Sequence, residues 1–325
     1  MADHVLSPGI TLRAAVWDDL EAVADLIRVV CLADGDTDVS RNLEDLKEYW
    51  GMTGCDISRD SCVAFSSDGR VVGYEDFYNR TQHAHLQGDG YVHPDFLGRA
   101  IGSALLRWLE NRCRDELLLA DPDLRVYIRN GVGSSDQKAR ELHENEGYRL
   151  VRYFWRMEVT LTAPPATPQF PAGIELRPFD PQKHMRMVYE ANQESFADHW
   201  GFARVPFERW KHVRLGGAFD PTLWHIAWQG DEVAGICLCR SRNGNGWVGT
   251  LGVRRAWRNI GLGMALLLQS FNEFYQRGTP TIDLSVDAAS LTGATRLYER
   301  AGMHVTQEYV TYEKELRPGR EPDEE

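Results

Sequence analysis

The chain has 325 residues, enough for two ordinary domains, and a formal net charge of −12. That excess of acid argues against a general nucleic-acid binder and against an anionic membrane surface, though it leaves room for a local basic site. The 43% apolar fraction suits a globular protein, and no apolar run is long enough to span a bilayer. The start, "MADHVLSPG", has neither a basic n-region nor an apolar h-region, and six scattered cysteines fit reduced thiols, so a cytoplasmic protein is expected.

In chain order, a short strand at Ile10–Arg13 is predicted first, followed by helical patterns at Trp17–Val30 and Asn42–Trp50. "QHAHL" is read as placing His83 and His85 on one strand face, with no acidic or histidine partner in evidence. "TAPPATPQFPAG" (162–173) has four prolines and little that packs, and reads as a linker. Beyond it come a strand at Ile174–Arg177, helices at Gln182–Phe196 and Phe207–Leu215, and three strands, "LWHIAWQ", "EVAGICLCR" and "GWVGTLGV". Cys237 and Cys239 share a strand face, and without a second pair at zinc spacing they read as small buried residues. A helix over Gly261–Arg277, the strand "TIDLSV", a helix over Leu291–Arg300 and a closing strand region "HVTQEYVTYEKEL" follow. "RPGREPDEE" (317–325) is predicted to be a disordered, charged tail.

The chain is written twice. "GITLRAAVWDD" is echoed by "GIELRPFDP", and "YVHPDFLGRAIGSALLRWLE" (91–110) by "GVRRAWRNIGLGMALLLQSF" (252–271). "KARELHENEGY" (138–148) is echoed by "GATRLYERAGM" (293–303). A repeat this long is two copies of a domain. The expected division is 1–161, the linker 162–173, a second domain 174–316 and the tail 317–325. Each copy reads as an α/β domain with a mixed sheet flanked by helices.

"RRAWRNIGLGMALL" (254–267) places Gly261 and Gly263 at the mouth of a good helix, where glycine costs stability. Bare backbone at a helix N-terminus suits a phosphate. A dinucleotide fold is one candidate, and Asp283 lies about 20 residues on, as its fingerprint asks. Asp283 falls inside a strand, however, and three strands precede the loop that should open such a fold.

"RNIGLGMALL" resembles the R/Q-x-x-G-x-G/A acetyl-CoA loop of the GNAT superfamily of N-acetyltransferases, with Arg258, Gly261 and Gly263 in the motif places. "LSVDAASLTGATRLYERAGM" (284–303) resembles the family's second signature. Tandem chains of this kind are similar in layout to mycothiol synthases and their relatives. The resemblance implies two tandem GNAT-like domains, each with a mostly antiparallel central sheet. It also implies acetyl-CoA as cosubstrate with no metal, and acetyl transfer to a primary amine of a small molecule. The implied cosubstrate residues are Leu251, Gly252 and Val253, the run Arg258, Asn259, Ile260, Gly261, Leu262, Gly263 and Met264, and Ser290. Tyr298 is implied as the proton donor to the departing thiolate. In mycothiol synthases a glutamate base precedes the loop; Trp247 stands in that place here and takes no proton, which argues against that substrate. Asp198 and His199 in "ESFADHWGF", with Asp287 and His225, are the substitutes. In the first copy Leu97 replaces the arginine, Ala100 the first glycine and His143 the tyrosine, so that copy is expected to be degenerate, with His143 a solvated helix residue. A non-catalytic CoA-responsive or partner-binding protein is the alternative, and a protein-lysine acceptor a further one. No nucleic-acid or membrane partner is expected; the sequence leaves the oligomeric state open and is compatible with a monomer.

Overall fold

The computed structural model describes residues 6–35, 42–52, 54–202, 204–216, 219–290 and 293–321. The elements run β1 (Thr11–Ala14), a 3₁₀ turn at Trp17–Asp19, α1 (Leu20–Ala33), α2 (Leu43–Trp50), α3 (Ile57–Asp60), β2 (Ser61–Phe65), β3 (Val71–Thr81), β4 (His85–Val92), α4 (Ile101–Glu116), β5 (Val126–Gly133), α5 (Gln137–Asn145) and β6 (Arg149–Thr160). The second copy supplies β7 (Glu175–Arg177), α6 (Pro181–Phe196), α7 (Phe207–Leu215), β8 (Trp224–Gln229), β9 (Glu232–Arg242), β10 (Asn245–Val253), α8 (Leu262–Gln276), β11 (Thr281–Asp287), α9 (Ala294–Arg300) and β12 (His304–Arg317). Local chemistry sets several ends. Asn42 and Asp45 exchange side-chain-to-backbone hydrogen bonds of 3.0 and 3.3 Å, a capping box that starts α2. Asp180 caps α6, with Pro181 at its first turn.

The chain divides into two compact units, residues 1–152 with 309–322, and residues 153–308 with 323–325. The sheet of the first unit runs β1-β2-β3-β4-β5-β12, and that of the second β6-β11-β10-β9-β8-β7. Within each, one neighbouring pair is parallel, β4 with β5 and β10 with β11, and the others are antiparallel. This is the mixed, mostly antiparallel sheet expected.

The contiguous division expected from the repeat is corrected at two strands. From Tyr153 onward β6 belongs to the second unit, where Phe154–Thr160 pair antiparallel with β11. From Tyr309 onward β12 pairs with β5 of the first unit. The repeat puts both strands after an equivalent helix, so a strand pattern alone does not say which slot each fills. Residues 162–173 also belong to the second unit, and Phe170 packs on its core rather than lying in a free linker.

The tail needs a similar correction. Arg317 ends β12, and Arg320 donates to the Asp123 carbonyl and accepts from the Arg125 N–H at 2.8 and 2.7 Å. Residues 322–325 lie outside the described residues, as do residues 1–5 and Leu291, where the last predicted helix began.

In the second unit, α8 buries Leu262, Ala265, Leu266, Leu267, Phe271 and Phe274 against the sheet. Each such side chain contributes about 1.5–3 kcal/mol of transfer free energy, against the entropy of ordering it. Cys237 and Cys239 sit in this core with their sulfurs 3.5 Å apart. His83 is not on a strand: it occupies a left-handed turn before β4 and its ring meets Glu116, a partner not foreseen.

Candidate active site

In the second unit β10 and β11 run parallel only at Gly246↔Ile282 and Trp247↔Asp283. Beyond Trp247 they part, and a bulge between Val248 and Thr250, at Gly249, shifts β10 against β9. Leu251, Gly252 and Val253 therefore have no ladder partner on β11 among the described residues. An open strand edge of this kind hydrogen-bonds an extended, amide-bearing ligand.

The glycine loop begins where β10 ends. Asn259 and Gly261 are both left-handed, at φ +64° and +88°, with Ile260 half exposed between them. This alternation turns successive N–H groups to one side and forms an anion-binding concavity. Gly261 is the N-cap of α8 and no side chain caps the helix, so the Leu262, Gly263 and Met264 N–H groups lie in its uncapped first turn. A Cβ on Gly261 would meet no atom within 4 Å, so the space over the loop is open. Gly263 has a different reason to be glycine. Its Cβ would lie 3.2 Å from Leu297 Cδ1 of α9 and 3.7 Å from Val253 Cγ2, so it serves helix packing, not ligand approach.

Arg258 is held inward. It donates to the Val253 carbonyl at 3.2 Å, the Ser195 carbonyl at 3.2 Å and Asp198 at 3.1 Å, so it ties the end of α6 to the end of β10. Asp198 also takes a 2.6 Å bond from Arg255. The hydrogen bonds from Arg255 and then Arg258 hold its carboxyl below the ordinary range, which suits a brace better than a proton acceptor. His199 packs on Phe196 at 4.5 Å between centroids. Burial lowers its pKa, while Asp287 and Asp198 pull the other way and Arg258 with the burial. Asp287 ends β11 opposite Phe154, whose ring lies 6.4 Å from that of Trp200. Ser290 donates its N–H to the Asp287 carbonyl at 3.0 Å. His225 is on β8, buried, with β9 between it and β10, and burial takes its pKa down to about 4.

Tyr298 lies on α9, 8% exposed, in the core beside Cys237. Burial first, and Cys237 next, raise its pKa. No hydrogen bond joins its hydroxyl to another described residue, and burial keeps the proton on the oxygen. Asp283 is 2% exposed, bound to Arg156 and Asn245 at 3.4 and 3.0 Å, and is unavailable to a ribose. That removes the dinucleotide candidate.

One feature the sequence reading missed is a cavity of about 280 Å³ between the second half of α6 and the segment after it, lined by Glu190, Glu194, Phe202, Arg204 and Arg254 among others. Its signal was the pair of glutamates one turn apart on α6, followed by Arg204 ten residues on.

Residues 29–148 and 185–303 each match the sequence model described as the acetyltransferase (GNAT) family. A mycothiol acetyltransferase of Streptomyces scabiei is 31% identical over 76% of this chain and 75% of its own. One from Thermomonospora curvata is 28% identical over 89% of this chain and 94% of its own. The crystal structure of a GCN5-related N-acetyltransferase from Sphaerobacter thermophilus superposes with a TM-score of 0.85, at 38% identity, over 98% of this chain and 99% of that one.

Proposed function

The chain belongs to the acetyltransferase (GNAT) family and is an acetyl-CoA-dependent N-acetyltransferase, and from that premise we propose that the second unit carries the reaction and that the acceptor is the primary amine of a small molecule. The observation that carries this reading is the coincidence, in one unit, of an open β10 edge, an uncapped left-handed loop and a tyrosine whose hydroxyl is not engaged. The N–H groups of Asn259 to Met264 would take the pyrophosphate, where backbone dipoles and a helix N-terminus favour negative charge. The edge at Leu251–Val253 would take the pantetheine amides and, through one N–H, the thioester oxygen as charge develops on it. Ser290, in the turn after β11, completes the cosubstrate side. Acetyl-CoA supplies the acyl group as a thioester.

Attack by the neutral amine forms the C–N bond and breaks the C–S bond. His199, kept uncharged at neutral pH by burial against the pull of the Asp287 charge, accepts the proton that the nitrogen loses. Tyr298 gives its proton to the leaving thiolate and is restored from solvent. Asp198 and Arg258 hold the α6 end against the loop and keep His199 in place.

Calorimetric titration with acetyl-CoA tests the reading. One site per chain is expected; no binding overturns it, and two sites would give the first unit a share in it. Turnover should fall on the acid side only below the ordinary histidine pKa of about 6.5, because burial depresses that of His199. His199→Gln should abolish that limb; its persistence would remove His199 from proton transfer.

A further inference from the structure

The cavity beside α6 is built from two ion pairs set side by side. Glu190 and Glu194 lie one turn apart on the helix. Arg204 reaches Glu190 at 2.6 Å, and Arg254 reaches Glu194 at 2.6 Å. Further bonds fix each guanidinium: Arg204 Nε to the Tyr189 hydroxyl at 3.3 Å, Arg254 Nη1 to the Val233 carbonyl at 3.1 Å. That leaves Arg204 Nη1 and Arg254 Nη2 with donors engaged by no described residue, while each carboxylate oxygen takes one partner, Glu190 from Arg204 and Arg186 and Glu194 from Arg254 and the Arg255 N–H, and keeps a second lone pair. Each pair therefore presents an acceptor edge next to a donor edge. Phe202 and Ala197 form an apolar wall. Arg186 holds Glu190 from outside the lining; the lining itself, with two carboxylates and two guanidiniums, is balanced in charge and favours neither a polyanion nor a simple cation. Its complement is a molecule carrying both charges close together. At about 280 Å³ the space falls just below the range of ordinary drug-sized pockets and suits a molecule of amino-acid size.

The cavity also adjoins the end of β10, the edge proposed to take the cosubstrate. Arg254 follows the last residue of β10, and Glu194 accepts the Arg255 N–H at 3.2 Å. Ser195, the next residue on α6, packs so closely on Gly252 that a Cβ there would lie 2.8 Å from the serine Cβ.

We propose that this cavity is the acceptor subsite and that the acceptor is a zwitterion of amino-acid size, its ammonium on Glu190 or Glu194 and its carboxylate on Arg204 or Arg254. The proposal rests on the acetyltransferase reading for the word acceptor, but the binding site itself is tested separately. The protein saturated with CoA is titrated by calorimetry with L-alanine, L-methionine and L-glutamate. Two half-molecules of methionine serve as controls: 3-(methylthio)propylamine, without the carboxylate, and 4-(methylthio)butanoate, without the ammonium. At least one amino acid is expected to bind, about 10-fold more tightly than a half-molecule, the value of one charge-assisted hydrogen bond. Arg204→Met should weaken that binding about 10-fold, and Ala197→Leu, which fills the cavity without touching an ion pair, should weaken it as much. Acetyl-CoA affinity should change less than about 2-fold in both variants, a difference under 0.5 kcal/mol. Equal binding of the amine lacking a carboxylate, or no binding of any amino acid up to about 10 mM, overturns the proposal. Failure of the wild-type protein to bind acetyl-CoA would instead strike the functional reading and leave an amino-acid site standing.

Discussion

The loop Arg258–Leu262 and its counterpart Leu97–Ile101 differ in side chains and agree in backbone. Asn259 and Gly261 are left-handed at φ +64° and +88°, Gly98 and Ala100 at +77° and +60°. Ala100 holds a conformation that costs a non-glycine residue about 1 kcal/mol, and it still caps α4. The second glycines match as well: a Cβ on Gly102 would meet Leu142 at 3.0 Å, as one on Gly263 would meet Leu297 at 3.2 Å. What separates the units is the surroundings. Arg258 ties α6 to β10, whereas Leu97 is 42% exposed.

The strands part in both units, but in the first the Asn130 side chain crosses the gap. It accepts from the Gly88 N–H at 3.3 Å and donates to His143 Nε2 at 3.2 Å. His143 is not a solvated residue: it is 8% exposed, stacks on Tyr312, donates Nδ1–H to the Ala139 carbonyl, and is kept neutral by burial. Both its nitrogens are engaged, where the Tyr298 hydroxyl is not. The two units thus share a loop backbone and differ in the side chains that surround it.

The sharpest way to break this comparison is to charge the two loops. Gly261→Asp should abolish acetyl-CoA binding, with a loss above about 100-fold in affinity, by placing an anion over the uncapped helix start. Ala100→Asp should leave that affinity within about 2-fold. Equal losses in calorimetry would assign a cosubstrate to the first unit too. Next in size, Tyr298→Phe should lower kcat about 100-fold with acetyl-CoA affinity unchanged, the ordinary range for a lost general acid. His143→Phe should leave kcat untouched; a fall in both variants would merge the roles of the two units.

Arg258→Leu copies the first unit into the second. A loss of about 10-fold in acetyl-CoA affinity is expected, since one charge and the tie between α6 and β10 disappear together. An unchanged Kd would make the tie dispensable.

The smallest effect concerns Glu75, which has no counterpart charge in the second unit. It is 4% exposed, and burial, then Asp76 and Asp89, push its pKa well above the ordinary value. Gly88 and Gly90 leave the space that its carboxyl fills. Above the unfolded pKa of about 4.3 the unfolded chain loses this proton while the folded one keeps it. Stability from the group is therefore complete at low pH and lost as pH rises through the folded value. Glu75→Gln should raise Tm at pH 8 but not at pH 4, by about 2–4 °C for each 1 kcal/mol. A pH-independent difference would show that Glu75 does not titrate in this range.

Much of this was written in the chain. The two copies, the loop at 258–264 and the tyrosine at 298 are local patterns, and backbone sterics and helix-end chemistry act over a few residues. The sequence determined two α/β copies, each with a glycine-bearing loop at a helix start, and which copy lacks the arginine and the tyrosine. Only the tertiary structure decided the rest. It placed β6 and β12 in exchanged slots, because two strands of equal pattern compete for equal edges and long-range hydrogen bonding makes the choice. It gave Asp198 to two arginines that lie 57 and 60 residues away. It brought Glu190 and Glu194 against Arg204 and Arg254 to make a cavity, since charge complementarity across a fold leaves no periodic trace in the chain.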